Sequence, residues 1–401
     1  MAQPVRKSIS ETHPELNEKQ TYTLLIDGTN LLRLSFVDDR VNTDGIHYGG
    51  IFQFLLQVKI LLQKKDFDYV YVFFDDEDSG ILRYQIYNDY KSNREKNYSS
   101  HSDDISDYMK AYNESLRAMQ NAIFNKNKKD KKGKILTDKE KIVKENFARE
   151  RSILMRYFNE LYIRWIFDDK TEGDDLIAYY VNNKKPSDKV VIVSSDEDLT
   201  QLISDTVCIY NPRLKNFISN KNFKDIKGFV HENVVIKKIF CGDSSDNIGN
   251  IDGLSENRLF ELMPEIKERK ITINEVIERA KEKINERISQ KKKPLKWHEN
   301  IINGVSKRNY NGDFYEINDK IINLSNPLLT DDAKDELDSM MYTPMDPDGR
   351  SFENLYKYIL EDNITDLINH NRFSNFFSTF KSLIDKEIRR YEKFVEKNNI
   401  F

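Results

Sequence analysis

Four short apolar runs, each ending on or just before an acidic residue, constrain this chain more than any other feature. They are TYTLLID, ending at Asp27, DYVYVFFD, ending at Asp75, ELYIRWIF, and DKVVIV, which is followed by SSDED with Asp196 and Asp198. A fifth run, TVCIYN, follows. They are rich in Val, Ile, Phe and Tyr, and Gly, Asp and Ser bound them, so they read as strands. Helical patterns lie between them, over Gly50–Lys64 and from Glu172 onward. Short apolar strands alternating with helices predict an α/β fold, a mostly parallel sheet covered by helices on both faces.

That sheet dictates where the acids go. In an open α/β sheet the site forms outside the carboxyl ends of the strands. Asp27, Asp75, Asp196 and Asp198 stand at or just past such ends, and Glu172, Asp174 and Asp175 open a helix in TEGDDLIA. Each element alone reads as a turn, an N-cap or a first helical turn. Together they fill one crevice, and so many carboxylates need a counter-charge. A fifth acidic element, GDSSDN with Asp243 and Asp246, opens the later part of the chain and would lean over the same crevice. No His or Cys cluster accompanies these acids, which argues against zinc, whereas oxygen-only ligands suit Mg²⁺ or Mn²⁺. Their number suggests two ions arranged for phosphodiester hydrolysis.

The remaining organisation follows from composition shifts. Residues 1–20 read as a mobile arm without an apolar segment, so no signal peptide is expected. Residues 21–231 carry the strands. Within them, about 92–158 reads as an insertion of two helices. Ile105, Tyr108, Met109, Tyr112, Leu116, Met119 and Ile123 mark the first, and Ile142, Val143, Phe147, Leu154, Tyr157 and Phe158 the second. Their predicted tip, 126–134, holds six lysines, among them Lys128, Lys129, Lys131 and Lys132. A lysine run is a solvated loop by default, but above a parallel sheet it would lie across a nucleic-acid backbone. From 232 to 401 the chain reads as helical, and the aromatic face Phe373–Tyr391 reads as core. The net charge of −4 points to no partner, and the two cysteines suit a reducing compartment. A cytoplasmic protein is expected (in the host cytoplasm if the source is viral), without a membrane span.

The elements LLIDGTN, DDEDSGILRYQIYNDYKSNREK, TEGDDLIA, VVIVSSDEDLTQL and GDSSDNI, in this order over about 21–262, resemble the 5′-nuclease superfamily. That superfamily comprises flap endonucleases, the 5′-nuclease domain of bacterial DNA polymerase I and phage 5′-exonucleases, and the likeness is strongest to its phage branch with ribonuclease H activity. The resemblance implies a PIN-like nuclease domain with a helical arch over 92–158, and a helical DNA-binding domain over 232–401 containing a helix–three-turn–helix. It implies a first metal at Asp27, Asp75, Glu172 and Asp174 with Asp175 beside them. A second metal would lie at Asp196, Asp198 and Asp243, with Asp246 acting through water. It further implies that Lys91 and Arg94 face the scissile phosphate and that Tyr90 stacks on a base. Gly253 and Ser255 fall in the duplex-gripping loop, where Ser255 replaces a glycine and would loosen the phosphate contact or alter a bound monovalent ion.

The expected activity is Mg²⁺-dependent, with Mn²⁺ as substitute. It would release nucleotides 5′→3′ from RNA or DNA in duplexes and cut 5′ flaps, suiting primer removal in DNA replication. Expected partners are duplex DNA, RNA–DNA hybrids and flaps, with a single-strand-binding protein or sliding clamp as a further candidate, acting on a monomer. The rivals are a PIN-class ribonuclease, a catalytically inactive junction binder and, more remotely, an aspartyl phosphatase.

Overall fold

The computed structural model describes residues 20–76, 79–92, 132–368 and 372–398. In the first half, β1 (Tyr22–Asp27) leads directly into α1 (Gly28–Ser35), then α2 (Gly49–Lys64), β2 (Tyr69–Asp75) and α3 (Ile81–Ile86). The long α4 (Lys132–Glu160) precedes β3 (Arg164–Asp168), α5 (Gly173–Asn183) and β4 (Lys189–Val193). The half closes with β5 (Val207–Asn211), β6 (Asn216–Ile218) and α6 (Phe223–Lys227). The six strands lie in the order β3-β2-β1-β4-β5-β6. All neighbours are parallel except β5–β6, an antiparallel edge pair that the apolar pattern does not foretell.

Alternation along each strand builds two cores. Leu24, Ile26, Val70, Val72 and Phe74 face one side of the sheet and pack under α1, α2 and α4. Leu25, Tyr71 and Phe73 face the other and pack under α5. With both faces covered, successive residues must all be apolar, which is why these strands read as continuous runs.

Two expectations shift. The run ELYIRWIF does not start a strand at Glu160. The helix ends there through a turn in which Ile163 N–H bonds the Phe158 carbonyl at 3.0 Å and Tyr162 adopts a left-handed backbone, so the strand begins at Arg164. The expected lysine-rich tip at 126–134 is partly helix, because α4 starts at Lys132. Residues 93–131, with the Ile105–Ile123 stripe and Arg94, Lys128, Lys129 and Lys131, lie outside the described residues. The C-terminal half of α4 belongs to the nuclease core, since Leu154, Tyr157 and Phe158 are fully buried beneath the sheet.

The second half is helical. It comprises α7 (Val234–Cys241), α8 (Glu256–Leu262), α9 (Ile273–Ser289), α10 (Lys296–Asn303), α11 (Phe314–Ile322), α12 (Asp331–Tyr342), α13 (Phe352–Glu361), α14 (Thr365–Ile368), α15 (Arg372–Phe377) and α16 (Lys381–Asn398). A third core joins α7–α11, and Tyr87 and Tyr90 of the first half enter it. The last helices return to the sheet: Leu337 joins the α5 side, and Leu355, Ile359, Phe377, Phe380 and Leu383 join the α2 side. Buried polar links hold this return, with Arg164 on Glu387 and Tyr157 OH on Asp362 at 2.5 Å. No helix among the described residues is long and apolar enough to cross a membrane.

Candidate active site

The strand order makes the crevice. The chain builds outward from β1 to β3, then returns to add β4 on the other side of β1, so the direction of winding reverses between β1 and β4. At such a reversal the loops leaving the two strands part and open a cleft. Ile26 pairs with Val193 and Asp27 with Phe73, which brings Asp27, Asp75 and the segment 194–198 to one edge. Asp27 caps α1, accepting from Asn30 N–H at 2.9 Å, and takes the Ser194 hydroxyl at 2.8 Å. Gly28 has no room for a side chain, since a Cβ there would come within 2.7 Å of Val72 and Phe74. That close approach presses Asp27 against β2. Asp75 accepts from Gly173 N–H at 2.6 Å, which ties β2 to the N-terminus of α5. Arg151 of α4 donates to the Asp75 carbonyl at 3.0 Å.

Electrostatics confirm that the acids crowd one another. Burial, followed by the charge of Asp75, pushes Asp27 up to about 7. Asp174 rises well above the carboxylate range through burial and then repulsion from Asp196, Asp27, Asp75 and Glu172. Burial raises Asp196 to about 6, with Asp246 and Asp243 adding to the rise against the opposing pull of Lys238. Carboxylates from five separate segments therefore feel one another.

Three cations, Lys91, Arg83 and Lys238, offset part of this charge. Burial would raise Glu172, but Lys91 and then Arg83 outweigh it and hold the group at about 2. Lys91 Nζ bonds Glu172 directly, and Arg83 reaches its other oxygen at 2.9 Å. Lys91 takes a left-handed backbone with φ of 53°, uncommon for such a residue, and its N–H donates to the Asp246 carbonyl at 2.9 Å. On the far wall, Lys238 bonds Asp198 and, at 2.6 Å, Asp243. Burial acts to raise Asp243, yet Lys238 outweighs it and holds the group at about 2. Asp196 accepts from Asp198 N–H at 2.8 Å.

Several expected residues take other parts. Asp175 is fully buried and is not beside an open ligand position. Arg83 engages both of its oxygens and Leu328 N–H donates to it at 2.9 Å, so it is half of a structural ion pair. Tyr90 is 4% exposed, its ring sits in the third core and its hydroxyl donates to Glu172 at 3.0 Å, so it offers no open face for stacking. Gly253 does adopt a left-handed backbone, with φ of 79°. Ser255 has φ of −114°, which any residue adopts, and its hydroxyl caps α8. Its serine is explained locally by the cap. The sequence pattern does not single out Arg83, Lys238, Ser194 or Arg151. An arginine inside the LRY stretch and a pair of lysines, Lys237 and Lys238, in an otherwise apolar helix were the available signals. A groove of about 760 Å³ lined by His231, Lys270 and Tyr315 contains none of these groups.

Among the described residues no three His, Cys, Asp or Glu side chains are drawn together at metal-binding spacing. The donor set nevertheless fits a hard divalent cation in its chemistry. It is all oxygen, and its members repel one another strongly enough to hold protons that a cation would displace. The Lys91 and Lys238 ammonium groups occupy oxygens of Glu172, Asp198 and Asp243.

The fold and site together define an α/β domain with an acidic crevice at its topological switch point, followed by helices. Residues 22–235, more than half of the chain, match the family described as the 5′-3′ exonuclease, N-terminal resolvase-like domain, and the protein belongs to that family. It is 40% identical over 86 residues to a 5′-3′ exonuclease of Mycoplasmopsis pulmonis, covering 21% of this chain and 29% of the relative. It is 23% identical over 274 residues to DNA polymerase I of Bacillus subtilis, covering 67% of this chain and 26% of the relative. The chain thus spans under a third of the length of these two relatives. A flap endonuclease of bacteriophage T5, solved with DNA and metal ions, shares the fold with a TM-score of 0.50 at 15% identity, covering 86% of this chain and 99% of that one.

Proposed function

We propose that the protein is a divalent-metal-dependent phosphodiesterase acting on 5′ ends of nucleic acid, with 5′→3′ exonuclease and flap endonuclease activity. The observation that carries this reading is the mutual repulsion of Asp27, Asp75, Asp174 and Asp196 at the switch point. A crevice so charged has no use for an anionic substrate unless cations come with it.

Asp27, Asp75, Glu172 and Asp174 would hold one ion, and Asp196, Asp198 and Asp243 a second, with Asp246 acting through water. Mg²⁺ is the natural ion and Mn²⁺ its substitute. When bound, the ions supply the Lewis acidity that activates water and stabilises the leaving oxygen. The chain's own residues do the rest. Arg83 fixes the orientation of Glu172, and Gly173 N–H fixes that of Asp75. Lys91, which bonds Glu172, would offset charge developing on a phosphate, with Arg94 as its proposed companion.

Attack by water leaves a 5′-phosphate and a 3′-hydroxyl. The site reads phosphate rather than sugar, which supports acceptance of RNA and DNA strands alike, ribonuclease H activity on hybrids, and removal of RNA primers during DNA replication. The helices after 232, with Gly253 in their loop, are the proposed grip on duplex backbone. The T5 enzyme's complex with DNA supports this reading. A monomer acting alone, or with a single-strand-binding protein or sliding clamp, completes the proposal. The test is product analysis on a 5′-labelled flap and on an RNA-primed duplex. Cleavage should require Mg²⁺ or Mn²⁺, and full activity in excess chelator would overturn the reading.

A further inference from the structure

A buried lysine needs a reason. Lys238 is 9% exposed on α7, in the apolar sequence VVIKKIFC. Stripping the water shell from an ammonium is costly unless anions replace it. Here they do: Nζ bonds Asp198, from the short 3₁₀ turn after β4, and Asp243, from the loop after α7, at 2.6 Å. Asp198 and Asp243 lie far apart in sequence, and the ammonium is the bridge between their segments. Asp27 and Asp75 are held differently. Their hydrogen bonds come from neutral donors, Ser194 and the N–H groups of Asn30 and Gly173.

The same oxygens of Asp198 and Asp243 serve either an ammonium or a divalent ion. An ammonium is a single charge with three donors, and its place between two carboxylates is the place a cation would take. We propose that Lys238 is the resident counter-ion of the second cation site. It holds Asp198 and Asp243 together in the metal-free protein and must release them for the second divalent ion to bind. This inference rests on the reading of these carboxylates as metal ligands. It makes Lys238 a positioning residue for the second binding step: the ion there must displace an ammonium that bonds both Asp198 and Asp243, whereas at the first site Lys91 and Arg83 engage Glu172 and the bonds to Asp27 and Asp75 come from neutral donors. Occupancy of the second site would then depend on cation concentration over a range set by this lysine.

The experiment is a calorimetric titration of Mn²⁺ alone into the full chain and into Lys238→Met, which keeps the apolar stem and removes the charge. The wild type should bind in two unequal steps. In the variant the second step should tighten by about ten-fold or more, because two charge-assisted bonds no longer have to break and two carboxylates are left facing each other. The first step should change by less than about three-fold, because solvent ions screen the lysine's charge across the width of the crevice. An unchanged or weaker second step, or a single step in both proteins, overturns the role of Lys238 and leaves the first ion standing. Absence of any Mn²⁺ binding in both overturns the metal reading itself, and this inference with it. A second measurement needs no folded Met variant. The Lys238 ammonium signal in ¹H–¹⁵N spectra of the wild type, assigned with Lys238→Arg, should be protected from exchange without metal and lose that protection at saturating Mg²⁺. Protection that survives saturation overturns the proposal.

Discussion

Replacing Arg83 with Met should destabilise the fold out of proportion to the side chain lost. Arg83 is 6% exposed and bonds Asp175 through two nitrogens, Glu172 at 2.9 Å and the Ile321 carbonyl at 2.8 Å. Removing it leaves the fully buried Asp175 without that cation, whereas Glu172 keeps Lys91. Breaking one side of a buried pair costs about 3–5 kcal/mol, a large share of the roughly 5–15 kcal/mol that holds a typical protein together. Burial already raises Asp175 even with Arg83 beside it, so the variant should raise it further. A carboxyl whose folded-state pKa lies above its unfolded value holds more protons when folded, so its contribution to stability falls as pH rises through that window. The loss in Arg83→Met should therefore be larger near about pH 8 than near about pH 5. Urea unfolding followed by tryptophan fluorescence, at both pH values, measures it. Adding Asp175→Asn removes the stranded charge and should recover about 2 kcal/mol or more. A loss under about 1 kcal/mol in the single variant, or no recovery in the double, would refute the argument that this pair is a structural necessity.

Three further outcomes are expected. With Asp27 at about 7 and Asp196 at about 6 in the metal-free protein, Mg²⁺ binding near about pH 6.5 should release protons, and less so at higher pH; calorimetry in buffers of different ionisation enthalpy reads this, and no release would contradict the crowding described above. Asp27→Asn or Asp174→Asn should abolish flap cleavage while duplex binding in a gel-shift assay stays the same or tightens, since a negative charge near phosphate is removed; lost binding in a folded variant would place these residues in substrate recognition instead. Phe377→Ala, at a site 1% exposed beneath α2, should cost about 3–5 kcal/mol in chemical unfolding although it lies in the last 30 residues; a neutral result would mean that the C-terminal helices do not share the nuclease core.

The strands and the acids at their ends are legible in the residues because both depend on local chemistry. Leu24-Leu25-Ile26 and Val70 through Phe74 are apolar at every position only where a strand is covered on both faces. An aspartate closing such a run falls at the strand's carboxyl edge whatever the rest of the fold does. The aromatic residues from Phe373 to Phe380 likewise announce a core by their spacing. The pattern says nothing of which core. Phe377 and Phe380 pack beneath α2, some 320 residues earlier in the chain, and no local preference encodes so distant a partner. The same limit applies in the crevice. Tyr90 and Asp175 sit in motifs that suggest an open site, yet side-chain hydrogen bonds from other segments bury both. Lys238 looks like one of two adjacent lysines in an apolar helix until the fold brings Asp198 and Asp243 to it. Strand order, the reversal between β1 and β4, and the pairing of each buried charge are settled by contacts between segments far apart in the chain. Such contacts are chosen by the free energy of packing the whole molecule, in which a buried ion must find its partner wherever the chain can supply one.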